Sequence, residues 1–173
     1  MRPIWAIRIL AITGVLALAF TTATANEGAT SFSTSMNGFQ ETPPILTNGN
    51  GTFHATVHGN TLTYTETFTG FTTNVTQSHI HFGERAVAGA FFVFLCSNLG
   101  NGPAGTPACP AAGGTVSGTV TAANVIAVSG QNISAGDFAA LLRILRSGDA
   151  YINVHTVKFP AGEIRGQVRA GED

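Results

Sequence analysis

Nine consecutive residues, Thr61-Leu-Thr-Tyr-Thr-Glu-Thr-Phe-Thr69, place Leu62, Tyr64, Glu66 and Phe68 at every second position. A helix would scatter these side chains around its circumference, whereas a strand gathers them on one face. The run before it behaves alike, with Phe53, Ala55 and Val57 alternating with Thr52, His54 and Thr56. His58-Gly59-Asn60 joins the two as a hairpin. Further strands are predicted at Thr30–Met36, Val75–Phe82, Ala90–Cys96 and Thr115–Val120, and Asn124–Val128 is a candidate for another. Ala90–Cys96 is continuously apolar, as a central strand covered on both faces would be. Glu66, on an otherwise apolar face, is expected to be paired or to lie at the sheet's end. The prolines in Gly38-Phe-Gln-Glu-Thr-Pro-Pro44 mark a turn or an edge. One segment breaks the pattern. Ser134-Ala-Gly-Asp137 reads as a capping box with Ser134 as N-cap, and Phe138, Leu141, Leu142 and Leu145 follow at helical spacing up to Arg146-Ser147-Gly148. This predicts one short helix over residues 135–146.

The polar residues with chemical potential concentrate in two places. Tyr151–Val168 reads as two strands around the turn Phe159-Pro160-Ala161-Gly162. Tyr151, Asn153 and His155 share one face of the first strand, while Ile152 and Val154 point into a core. Glu163, Arg165, Gln167 and Arg169 share one face of the second. Far upstream, His79 and His81 lie on one face of Val75–Phe82, about 6–7 Å apart. Two imidazoles at that spacing can converge on one ion, with His155 as a third ligand if the fold brings its strand alongside. Three imidazoles with an open position suit copper or zinc. Asn153, Glu163 and Glu84 are candidates to hold the outward ring nitrogens, and Arg165 to hold an anion nearby. The competing reading is structural. His79 and His81 would then be polar side chains at a sheet edge, bonded to Thr156, Asn153 or Glu163, with Glu163–Arg165 an ion pair worth little. His54 and His58 read as surface residues.

The chain opens with Arg2 and Arg8, an apolar run from Ile9 to Phe20, and Ala23-Thr24-Ala25. This predicts a secretory signal peptide over residues 1–25 and a single domain over 26–173, secreted or periplasmic and with no membrane span. Two of the eight Lys+Arg and none of the nine Asp+Glu fall in the leader, so the remainder carries a net of −3. Without a basic cluster, nucleic acid and anionic membranes are poor partners. Cys96 and Cys109 are the only cysteines, and an oxidising compartment predicts a disulfide closing the loop Ser97–Ala108. Such a bridge contributes roughly 3 kcal/mol. No Gly-x-Ser-x-Gly elbow, phosphate loop or His-Glu-x-x-His motif occurs.

Gly38-Phe-Gln-Glu-Thr-Pro-Pro44, Ser78-His-Ile-His-Phe-Gly83, Tyr151-Ile-Asn-Val-His-Thr156 and Gly162-Glu-Ile-Arg-Gly-Gln167 follow one another in order. Together they resemble the CHRD domain, first described in chordin and also found alone in exported bacterial proteins. The resemblance spans about Ser31 to Val168. It implies an immunoglobulin-like or similar β-sandwich and no established catalytic role. A fainter resemblance is to copper–zinc superoxide dismutase, on His79, His81, His155 and Arg165. No bridging histidine and no zinc-loop set follows His81, so only a mononuclear site corresponds. The expected architecture is an all-β, antiparallel Greek-key β-sandwich, immunoglobulin-like or superoxide-dismutase-like, with one short helix. Two functions fit. One is a non-enzymatic exported module that binds an extracellular or envelope protein or a glycan. The other is a mononuclear copper or zinc protein built on His79, His81 and His155.

Overall fold

The computed structural model describes residues 28–171; the segment read as a signal peptide lies outside the described residues. In chain order the elements are β1 (Ser31–Asn37), β2 (Asn50–His58), β3 (Thr61–Thr69), β4 (Val75–Phe82), β5 (Phe91–Ser97), β6 (Gly114–Val120), α1 (Phe138–Ser147), β7 (Ala150–Thr156), β8 (Ile164–Gln167) and β9 (Arg169–Ala170). All strand pairings are antiparallel, along one path β5-β4-β7-β8-β1-β2-β3-β6 with β9 on β1. The expected all-β, antiparallel architecture with one short helix holds at that level. The sheet curls until its ends approach. The Tyr64 hydroxyl on β3 donates to the Leu95 carbonyl on β5, and Ser78 Oγ on β4 donates to Glu66 Oε1 on β3 at 2.7 Å. The result is nearly closed and barrel-like.

The period-two pattern fixes which side chains fill it. Phe53, Leu62, Phe68, Ile80, Ile152 and Ile164 are buried in the core, while the intervening threonines of β2 and β3 stay outside. Glu66 follows its apolar neighbours inward and is paired there with Ser78. His54 and His58 are exposed, as expected. Cys96 and Cys109 form the expected disulfide, with Cα atoms 5.0 Å apart.

Three expectations need correction. Asn124–Val128 is not a strand: the Asn124 side chain accepts from the Thr121 backbone N–H at 2.8 Å and winds the chain into a 3-10 turn at Ala122–Asn124. The residues after it lie along the free edge of β5, where Val125 bridges Val93 and the Ile126 N–H donates to Phe92 O. Hence β5, expected to be central, is terminal in the hydrogen-bonded order although buried on both faces. Lastly, α1 starts at Phe138 with Asp137, not Ser134, as N-cap; its carboxylate accepts the Ala140 N–H at 2.8 Å. Gly136, at φ +80°, turns the chain between Ser134 and the helix. Among the described residues no helix is long and apolar enough to cross a membrane.

Candidate metal centre

Register assembles the site. Across β4, β7 and β8, His79 pairs with Asn153 and Asn153 with Arg165, while His81 pairs with Tyr151 and Tyr151 with Gln167; His155 stands opposite Gln77. Laterally paired residues share a face. Ile80, Ile152 and Ile164 therefore point into the core, and this polar set occupies the opposite side. That side is nonetheless buried: His79 is 0%, Arg165 2%, Asn153 3%, His155 6% and His81 7% exposed.

His79, His81 and His155 each offer a nitrogen within 4.8 Å of the other two. His79 Nδ1 lies 3.1 Å from His155 Nε2. His81 Nδ1 lies 2.9 Å from the Gly89 carbonyl and His155 Nδ1 3.0 Å from the Pro160 carbonyl. A carbonyl only accepts, so both Nδ1 atoms carry the proton and both Nε2 atoms present lone pairs. Nε2 of His79 and of His81 are buried without a hydrogen-bond partner. The walls are aromatic: Phe91 stacks on His79 at 4.2 Å, Phe94 meets it edge-on at 4.6 Å, and Tyr151 stacks on His81 at 4.5 Å.

Burial dictates the protonation state. Desolvation, with the neighbouring histidines adding to it, pushes His79 down to about 2. Desolvation also brings His81 down to about 3, against the opposing Gly89 carbonyl, and lowers His155. All three are neutral near pH 7, the form that ligates metal.

The structure reassigns the surrounding roles. Glu163 does not reach the histidines; its carboxylate accepts from Thr47 and Thr156 hydroxyls. Asn153 donates to Glu41 and to the Ile164 carbonyl instead of holding a ring nitrogen. Glu84 contributes its backbone carbonyl, to Arg165 Nη2 at 2.7 Å. Arg165 also donates to the Val87 carbonyl at 2.9 Å and to Thr42 and Gln167 side chains at 3.4 Å. Its donors thus fasten the 83–89 loop, whose Gly89 carbonyl orients His81. Tyr151 adds a second fastening, since its hydroxyl donates to Gly89 O and accepts from Gly89 N.

Sequence reasoning missed Glu41. Desolvation raises it to about 7, with the Arg165 charge pulling the other way. It belongs to the Gly38–Pro44 segment, whose ordered recurrence with the histidine motifs was the available signal. The cradle also requires Gly162, at φ +129°, where a Cβ would collide with Asn153 and Glu41.

The model of the CHRD domain matches residues 32–168. Neither the curated proteins nor the solved structures contain a match to the chain.

Proposed function

The chain belongs to the CHRD-domain family, and from that premise we propose that it is an exported, non-enzymatic binding domain that holds one copper or zinc ion on His79, His81 and His155. The single observation behind this reading is the pair of buried, unpartnered nitrogens, His79 Nε2 and His81 Nε2, beside a third imidazole. Leaving a buried acceptor unmade costs about 1–3 kcal/mol. Protonation cannot relieve that cost near neutral pH, because burial keeps the rings neutral. An ion can. Around copper or zinc at about 2.0–2.1 Å, ligand nitrogens stand roughly 3–4 Å apart, so modest ring rotations bring the present set into range. The Gly89 and Pro160 carbonyls supply the orienting bonds such ligands need.

Arg165 argues for holding an ion over turning over an anion such as superoxide, since both its Nη nitrogens are engaged by Glu84, Val87, Thr42 and Gln167. The same reading takes residues 1–25 as a cleaved leader, residues 26–173 as one domain, and the curled sheet as a Greek-key sandwich.

Metal analysis of the leader-less protein, purified without a histidine tag and loaded with copper or zinc, tests it. One equivalent that survives dialysis and is lost in H79A, H81A and H155A is the expected result. Equal retention by all three variants, or none by the wild type, overturns the reading.

A further inference from the structure

A second surface, lined by none of His79, His81 and His155, carries its own chemistry. Across five strands one register row runs Arg169–Ser33–His54–Thr65–Ser117. Such residues point to the same side about 4.8 Å apart. Two hollows of about 370 and 410 Å³ lie on this side and share Ser33 and His54. The larger is bounded by Arg85, Arg169, Gln40 and Gln167. A third hollow continues past Gln40, Arg85 and Gln167 to Phe39, which is 69% exposed; the carboxyl there, Glu41, is buried beside Arg165.

Charge decides what fits. The chain as a whole is −1, yet among the described residues no Asp or Glu lines the two row hollows. Arg85 and Arg169 are both exposed, and Arg85 makes only a 3.5 Å contact with Gln40. The row's hydroxyls suit a sugar's hydroxyl groups, two guanidinium forks suit carboxylate or sulfate, and an exposed ring suits the apolar face of a pyranose. Two arginines are far short of the basic stripe that nucleic acid demands.

We propose that this trough binds an anionic polysaccharide, with Arg85 and Arg169 taking its acidic groups and the serine–threonine row its hydroxyls. The test is affinity electrophoresis of the full domain in gels containing polygalacturonate, dextran sulfate or neutral dextran. Retardation by one or both acidic polymers and not by dextran is expected; which one responds separates carboxylate from sulfate recognition. R85Q/R169Q should weaken that binding about tenfold or more with unchanged melting temperature and metal content, whereas R85K/R169K, which keeps the charges but not the planar forks, recovers only part of it. Retardation by neither acidic polymer, equal retardation by dextran, or an unaffected R85Q/R169Q variant would overturn the proposal.

Discussion

The guanidinium carbon of Arg165 lies 3.4 Å from the ring centroid of Tyr151, and Tyr151 in turn stacks on His81 at 4.5 Å. The three form a pile whose outer member is locked by loop carbonyls and whose inner member belongs to the candidate metal centre. Lysine cannot reproduce a planar, multiply donating cap. R165K should therefore destabilise the domain by about 3 kcal/mol and weaken metal retention, through loss of the loop that positions Gly89 against His81. Urea unfolding with and without copper checks both. Wild-type stability would show that the cap is dispensable.

Glu66 gives a pH signature. Desolvation raises it from 4.5 to about 8, with the Ser78 hydrogen bond opposing. Between those values the folded protein keeps a proton that the unfolded chain has released, so stability falls as pH rises through that window and levels off above it. E66Q is neutral throughout and escapes the loss. Its stability relative to wild type should therefore climb by at most about 1.4 kcal/mol per pH unit between pH 4.5 and 8. Comparing the two proteins cancels the opposite slope of the buried histidines, which favour the folded state as pH rises towards their unfolded value. Parallel curves for the two proteins would refute the assignment.

G162A adds a Cβ at φ +129°, against Asn153 and Glu41. The strain should cost about 1–3 kcal/mol, read by chemical denaturation. A variant within about 0.5 kcal/mol of wild type would mean that the turn relaxes without disturbing the cradle.

The disulfide anchors β5, which carries Phe91 and Phe94 against His79 and is terminal in the hydrogen-bonded order. Its cysteines are 13 positions apart, and C96S/C109S should lose about 3 kcal/mol. The bridge lies outside the histidine set, so metal stoichiometry measured well below the variant's melting temperature should be unchanged. Loss of metal there would show that β5 needs the bridge to hold the aromatic wall.

The strands were legible because a strand's period is local: each second residue faces the same way whatever the partner. The same rule placed His79 and His81 on one face and Glu66 among apolar neighbours. A cysteine pair in an otherwise cysteine-free chain likewise left one intramolecular bond to form. The helix start was less legible, because Ser134 and Asp137 both suit an N-cap and the left-handed Gly136 between them decides.

What the sequence determined by itself was the alternating strands, the disulfide and the identity of the three histidines. Only the tertiary structure decided their surroundings. That β7 lies between β4 and β8, bringing His155 beside His79 and Arg165 across from Asn153, is a matter of register between distant segments. The atoms that orient the rings are backbone carbonyls of Gly89 and Pro160. A carbonyl has no letter in a sequence. Glu41, 112 positions from the Asn153 that binds it, is likewise placed by the path of a loop over the sheet. The physical reason is range: side-chain direction along a strand is set by neighbouring dihedrals, whereas burial and hydrogen bonding across the site depend on the whole chain having closed around it.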